Sequence, residues 1–207
     1  MITTRNRARQ APRAWLQALG LAVLLFFGPS AGVPTDAAAP VSAILIAAQA
    51  EVADPFFEGS LVLVMNNLGP VPVGLIVNRP TPVPISRLFP KLKRLAGSGE
   101  KLYFGGPVEI GSVWFLIRTD SRPKQSVPVL PGVYLSASRT LLTQLLSRSN
   151  PMQGLRIFAG HAGWTPEQLR GEIDGGAWAL RQADANTVFN PPSEHPWPAP
   201  PAAKGST

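Results

Sequence analysis

Short apolar runs of three to six residues recur along this chain, and most of them are followed by Gly, Pro, Asn or Asp. Such runs are shorter than typical helices, and apolar runs bounded by turn-forming residues are typical of buried β-strands. The pattern therefore predicts strands at Ile44–Ala48, Ser60–Met65, Gly74–Asn78, Leu102–Phe104, Val113–Arg118, Leu155–Gly160 and Ala177–Gln182.

Two segments carry clear helix signals. Ser138 is a suitable N-cap, and the leucines at positions 141, 142, 145 and 146 recur behind it at helical spacing. A second helix is predicted after Thr165, because a capping residue is followed by Pro166 at the first helical position and Glu167 in the first turn. Its end is predicted at Gly175. The acids of this helix, Glu167, Glu172 and Asp174, are expected to face solvent.

The remaining segments have weaker signals. The amphipathic stretch Ile85–Ala96 contains Pro90, which predicts two short helical pieces or one broken helix. A strand end or turn is expected at Gly132–Leu135, and a last short turn at Ala185–Phe189. Residues 191–207 are rich in proline, and we expect this tail to be disordered or extended.

The N-terminal segment has the pattern of a secretory signal peptide. A basic start precedes an apolar run at Ala14–Phe27, and small residues follow up to Ala39. A membrane-spanning helix needs roughly 20 apolar residues, and this run is shorter. We therefore expect a signal peptide and spacer within residues 1–39, cleavage between about residues 32 and 39, and export to the periplasm. The alternatives are an uncleaved N-terminal anchor and a misassigned start codon.

The formal net charge of +7 depends partly on that segment. Without residues 1–39 the chain keeps 15 basic and 11 acidic residues, a net charge of +4. Nucleic acid is therefore not the partner that we expect. A basic cluster remains that is best explained as a solvated helix face and that could alternatively meet an anionic surface. Its members are Arg87, Lys91, Lys93, Arg94 and Lys101.

The composition removes several kinds of chemistry. The chain has no cysteine, so disulfides, thiolate metal sites and a cysteine nucleophile are excluded. It has two histidines, His161 and His195, and the second lies in the tail, which excludes a multi-histidine metal site. Neither Ser60 nor Ser138 has the glycine context of a nucleophile elbow. We expect no cofactor and no metal, and no residue is assigned a catalytic role.

Five motifs follow one another in a recognisable order. They are Asp54-Pro55-x-Phe57, Gly74-Leu75-Ile76-Val77-Asn78-Arg79-Pro80, Phe104-Gly105-Gly106-Pro107-Val108, Gly160-His161-Ala162-Gly163-Trp164 and Glu172-Ile173 with Trp178. From about Ile44 to Phe189 the chain resembles the YqgE/AlgH family. The resemblance implies an α/β (α+β) fold, in which one compact domain over residues 40–190 has a mixed, partly barrel-like β-sheet flanked by short helices. The family's biochemical function is unassigned.

Three positions depart from the family pattern. Asn67 and Ile117 stand where many relatives have histidine, and His161 stands where the glycine–tryptophan motif usually has tyrosine. A role that depends on the first two histidines is therefore not implied for this chain. Most relatives also look cytoplasmic, so the expected export is a further departure.

The motifs at the strand ends predict a shallow ligand site. An arginine can hold a carboxylate or phosphate, a glycine turn can present backbone N–H groups to an anion, and a tryptophan can wall a pocket. The candidate residues are Asn78, Arg79, Gly105, Gly106, Pro107, Gly160, His161, Gly163 and Trp164. Each also has a structural explanation, namely turn capping or an internal ion pair for Asn78 and Arg79, a tight turn for the glycines, and strand–helix packing for Trp164.

These observations favour a non-catalytic binding or regulatory module of the cell envelope, with a small ligand or an envelope protein as its partner. One alternative is a hydrolase that uses His161 as a base. Another is a cytoplasmic transcriptional regulator, which requires the N-terminal segment to be retained or absent in vivo.

Overall fold

A computed structural model of the protein describes residues 43–50, 52 and 54–191. The predicted signal peptide and spacer, the first residues of the predicted domain and the tail from residue 192 onward lie outside the described residues. Within the described ranges, no helix combines the length and the apolar character that crossing a membrane requires.

Ten strands and four short helices form the described domain. The strands are β1 (Ala43–Ala48), β2 (Leu61–Met65), β3 (Val73–Ile76), β4 (Pro80–Pro84), β5 (Lys101–Phe104), β6 (Val108–Arg118), β7 (Val127–Leu130), β8 (Val133–Ser136), β9 (Leu155–Gly163) and β10 (Trp178–Arg181). The helices are α1 (Ile85–Leu88), α2 (Arg139–Leu146), α3 (Pro166–Asp174) and α4 (Ala185–Phe189), and a single 3-10 turn lies at Lys93–Leu95.

The sheet is curled into a half-barrel, and it is mixed as predicted. The strands follow one another in the order β10-β1-β2-β3-β9-β6-β8-β7, all antiparallel. Strand β5 pairs with β4 and adds one parallel pairing, to β9. Strand β9 therefore has three neighbours, since its first part pairs with β6, its middle also with β5, and its end with β3. The sheet branches at this strand.

Successive side chains of a strand point to opposite faces of the sheet, so they pack in different hydrophobic clusters. Leu45, Leu63 and Leu75 pack with Phe158 and α4 on one face. Their neighbours Ile46, Val62 and Ile76 pack on the other face with α3 and two tryptophans. A third cluster joins α1 and α2 to β6 and β9. The sheet thus carries apolar packing on both faces.

The helix predictions are confirmed. The Ser138 hydroxyl accepts the Leu141 N–H at 3.3 Å, and the Thr165 hydroxyl accepts the Gln168 N–H at 3.1 Å. Each bond satisfies one donor of the first helical turn that would otherwise lack a partner. The stretch around Pro90 forms two short pieces, α1 and the 3-10 turn, on either side of the proline.

Strands β4 and β7 were missing from the sequence-based prediction, β8 was predicted only as a strand end or turn, and α4 only as a short turn. Strand β4 contains Pro80, Pro82 and Pro84, which together indicate a break rather than a strand. The strand can form because β4 pairs on one side only, with β5. The prolines therefore lack N–H groups only where the sheet needs no hydrogen bond. Strand β7 likewise ends the sheet and contains Pro128. Strand β6 also begins five residues earlier than predicted, at Val108.

Candidate functional site

The predicted site residues lie around the point where the sheet branches at β9. The Gly105 N–H donates to the Ala159 carbonyl at 2.8 Å, and the Gly105 carbonyl accepts the Ile76 N–H at 2.9 Å. A Cβ atom on Gly106 would lie 2.3 Å from the carbonyl carbon of His161. Gly106 also has φ of +151°, and Gly160 opposite it has φ of +67°. The glycines therefore allow two backbones to approach closely, which side chains would prevent.

Asn78 is buried two residues after the end of β3, and its side-chain amide bonds to backbone groups. Its side-chain oxygen accepts the Leu61 N–H at 2.8 Å, and its amide nitrogen donates to the Gly59 carbonyl at 3.0 Å. These bonds attach the end of the loop at Asp54–Ser60 to β3. Asn78 thus has the structural role of satisfying the backbone at the end of this loop.

Arg79 is 2% exposed, and its guanidinium hydrogen-bonds to the same loop. One terminal nitrogen donates to the Phe56 carbonyl and the other to the Glu58 carbonyl, while Nε has no hydrogen-bond partner within the described part of the chain. Burial lowers the pKa of the guanidinium from its ordinary value, and the nearby Glu58 carboxylate raises it in part. The fork that was predicted to bind a ligand is occupied by main-chain carbonyls.

His161 lies half-buried on β9, and its ring packs against Trp114 with centroids 5.3 Å apart. Its Nδ1 atom is buried without a hydrogen-bond partner among the described residues. A general base normally has a second group that orients the ring through one of its nitrogens. Here the ring is held by aromatic packing, so the geometry does not favour the hydrolase alternative.

Trp164 is buried at the start of α3, and its indole is part of an aromatic group. Its ring lies 5.8 Å from Phe57 and 6.1 Å from Trp178 between centroids, and Phe57 lies 5.6 Å from Trp178. Gly74 makes room for it, since a Cβ atom there would lie 2.8 Å from the indole. The glycine of one predicted motif therefore accommodates the tryptophan of another.

Glu172 joins the two tryptophans. Its Oε2 atom accepts the Nε1–H of Trp164 at 3.0 Å and that of Trp178 at 2.7 Å. Its Oε1 atom accepts a bond from the side-chain amide of Gln168 at 2.9 Å. The expectation that Glu172 faces solvent is wrong, because the side chain is half-buried between the two indoles. Glu167 on the same helix is exposed, as expected.

An open cleft of about 480 Å³ lies beside this group, and we name it the Trp–Glu cleft. Three predicted site residues line it, namely Pro107, Gly163 and Trp164. The other lining residues are Val52, Asp54, Phe57, Gln168, Glu172, Ala177 and Trp178. Among the described residues that line it, the charged ones are both acidic, Asp54 and Glu172.

Phe57, Glu172 and Trp178 were not among the predicted site residues. One signal was present in the sequence, since Gln168 and Glu172 are four residues apart and so share a helix face. The position of Trp178 one strand later, beside Trp164, is a tertiary contact that no spacing reveals. Asn78, Arg79, Gly105, Gly106, Gly160 and His161 do not line the cleft.

The basic cluster is exposed, on α1, the 3-10 turn, the link between them that contains Lys91, and the start of β5. Arg94 differs from the others, since its guanidinium donates to the Ser147 carbonyl at 2.7 Å and so satisfies the end of α2. Within the described part of the chain, no three His, Asp or Glu side chains are grouped so that they could hold a metal ion.

Comparison with known proteins identifies relatives over most of the chain. Residues 44–205 match the profile of a family described as AlgH-like. A UPF0301 protein of Myxococcus xanthus (strain DK1622) is 34% identical over 148 residues, which are 70% of this chain and 80% of that protein. A UPF0301 protein of Anaeromyxobacter dehalogenans (strain 2CP-C) is 33% identical over 175 residues, which are 80% of this chain and 88% of that protein.

Solved structures share the fold. The solution structure of the AlgH protein from Pseudomonas aeruginosa superposes with a TM-score of 0.61 at 24% identity, over 75% of this chain and 85% of that one. The crystal structure of protein DIP2367 from Corynebacterium diphtheriae gives a TM-score of 0.58 at 22% identity, over 73% and 81% of the two chains. The family match covers the sheet, the branch at β9 and the Trp–Glu cleft, and the chain belongs to the AlgH-like family.

Proposed function

We propose that the protein is a non-catalytic binding or regulatory module of the cell envelope, and that its ligand binds in the Trp–Glu cleft. The observation that carries the proposal is the cleft itself, in which aromatic side chains adjoin a few polar groups in one concavity. Small-molecule sites commonly combine an apolar wall with a small number of placed polar groups.

The surroundings of the cleft support a preformed site. Trp164 and Trp178 are 5% and 4% exposed, and Glu172 bonds to both. Buried side chains held by hydrogen bonds lose little further freedom when a ligand binds, which reduces the entropic cost of binding. Phe57, which is carried by the loop at Asp54–Ser60, adds a third ring that packs against both tryptophans.

Binding is tested by recording the indole N–H resonances of 15N-labelled protein during a screen of small fragments. We expect fragments that enter the cleft to shift the Nε1–H signals of Trp164 and Trp178. Replacing Trp164 by Phe removes part of the aromatic wall, and the loss of apolar contact should weaken those fragments by about tenfold. Glu167→Gln on the exposed side of α3 is the matched control and should leave binding unchanged.

If fragments bind only elsewhere, the assignment of the cleft is wrong. Unchanged affinity in the Trp164→Phe protein would have the same meaning. Circular dichroism and a thermal melt of each variant separate loss of the site from loss of the fold.

The envelope part of the proposal rests on the basic, apolar and small-residue pattern of residues 1–39. It is tested by cell fractionation with N-terminal sequencing. A shortened chain that starts between about residues 32 and 39 in the periplasmic fraction is the expected result. A full-length chain in the cytoplasm would overturn it and would favour the alternative of a cytoplasmic regulator.

A further inference from the structure

Most side-chain hydrogen-bond donors of the Trp–Glu cleft already have partners, whereas some acceptor positions do not. Both indole N–H donors are taken by Glu172, and the Gln168 amide nitrogen also donates to it. Among these side chains, the second N–H of the Gln168 amide is the one donor left over, whereas the carboxylates keep free acceptor positions. A carboxylate has about four acceptor positions, and Glu172 uses three of them. Asp54 uses one oxygen to accept the Phe56 N–H at 2.8 Å.

The charge of the lining is equally one-sided. Asp54 and Glu172 are acidic, and the described residues that line the cleft include neither lysine nor arginine. The whole chain nevertheless has an excess of basic residues, with a formal charge of +7. The local charge is thus opposite to the overall charge, so that the cleft repels anions and attracts cations at short range.

The remaining surface is apolar. Phe57, Trp164 and Trp178 lie beside the two carboxylates, and Pro107 and Val52 extend the wall. Aromatic rings attract cations through the negative charge on their faces, and they also accommodate a short hydrocarbon chain. A ligand that matches all three properties donates hydrogen bonds, carries positive charge and has an apolar stem.

We infer that the Trp–Glu cleft binds an alkylammonium group, with the N–H donors at Asp54 and Glu172 and the stem against the aromatic wall. The inference rests on the proposed function, since it names the ligand class for the same cleft. Free amines and the amine of a larger molecule share this chemistry. A mixed site of two acceptors and an aromatic wall also explains why the chain holds Glu172 among indoles instead of an apolar residue.

The test uses four small probes of similar size with the 15N-labelled full chain. The probes are n-butylammonium, n-butanol, tetramethylammonium and butyrate. We expect n-butylammonium to shift the Trp164 and Trp178 indole signals at the lowest concentration, and butyrate to cause no shift. Added salt should weaken the binding, since partly exposed charges are screened.

Asp54→Asn is the sharper variant, because asparagine keeps the oxygen that accepts the Phe56 N–H and removes only the charge. It should weaken n-butylammonium by about three- to fivefold, the usual effect of one exposed ion pair. Glu172→Gln should weaken it by about tenfold, and Glu167→Gln should have no effect. Because Asp54 is exposed, its variant remains informative even if the Glu172 variant folds poorly.

The outcomes separate the two proposals. If butanol or butyrate binds as well as n-butylammonium, the ligand class is wrong while the cleft remains a binding site. If tetramethylammonium binds equally well, donation by N–H groups is wrong. If neither these probes nor any screened fragment shifts the two indole signals, both the ligand class and the proposed function fail.

Discussion

The branch point at β9 and the Trp–Glu cleft lie close together in the fold, yet they use their polar groups differently. At the branch point, Asn78 and Arg79 are buried and bond to main-chain carbonyls and an N–H. In the cleft, Glu172 is half-buried and keeps acceptor capacity beside a concavity. Of two neighbouring motifs with similar residues, one therefore supports the backbone and the other can contact a ligand.

This comparison predicts that changes at the branch point act on stability and that changes in the cleft act on binding. The largest effect is expected for Gly106→Ala. The new Cβ atom would lie 2.3 Å from His161 main chain, and the residue would keep φ near +151°. Overlap and backbone strain together should lower the free energy of unfolding by about 3 kcal/mol or more.

Chemical denaturation measures this loss. Gly111→Ala is the control, because nothing lies within 4 Å of a Cβ atom placed there. It should change the free energy of unfolding by less than about 0.5 kcal/mol. Equal effects of the two substitutions would show that the close approach at the branch point is not needed.

The next effect is expected for Arg79→Met, which keeps the buried stem and removes the donors. The carbonyls of Phe56 and Glu58 would then lose their partner, at a cost of about 2 kcal/mol. Because these carbonyls belong to the loop that carries Phe57, hydrogen exchange of residues 54–60 should become faster. Arg87→Met, at an exposed arginine, is the control for both measurements.

The substitution Arg79→Lys tests the role of the guanidinium fork separately from that of the positive charge. A lysine can reach one carbonyl but lacks the fork, so it should restore part of the stability and less of the protection of the loop. If Arg79→Met left both the free energy of unfolding and the exchange rates unchanged, Arg79 would not hold this loop.

A smaller effect is expected for Glu172→Ala. Two largely buried indole N–H groups would lose their acceptor, which should cost about 1–2 kcal/mol. Tryptophan fluorescence should change as well, since both indoles would have a new environment. Glu167→Ala, at an exposed position of the same helix, should alter neither. A fluorescence spectrum that does not change would argue against the bonds between Glu172 and the indoles.

The smallest effect is expected for Thr165→Ala at the start of α3. Loss of the cap that accepts the Gln168 N–H should cost about 1 kcal/mol. Since α3 carries Glu172, binding of n-butylammonium should weaken only slightly if the helix stays in place. Thr165→Ser is the control that keeps the hydroxyl. A large loss of binding without a loss of stability would place Thr165 itself in the site.

Much of the fold could be predicted from local patterns. The caps at Ser138 and Thr165 and the apolar strands are properties of a few adjacent residues, and the structure contains them. Strand β4 could not be predicted, because its prolines oppose strand formation in general and are tolerated only where one edge stays unpaired. Whether an edge stays unpaired is decided by the whole sheet.

The candidate site shows the same division. Pro107, Gly163 and Trp164 were predicted and line the cleft, whereas Asn78 and Arg79 lie buried behind the loop that forms one wall. Phe57, Glu172 and Trp178 were missed as site residues. Glu172 and Trp178 lie on the consecutive elements α3 and β10, but Phe57 comes from a loop much earlier in the chain. Only tertiary packing places the three side chains together.

Residue types and short spacings were enough to predict the positions of most strands and helices, the absence of thiol chemistry and the family. Only the tertiary structure decided which motif residues support the backbone and which line a cleft. The physical reason is that the use of a polar group depends on the partners that reach it. Arg79 meets main-chain carbonyls and is fully enclosed, while Glu172 meets two indole donors at the edge of an open concavity.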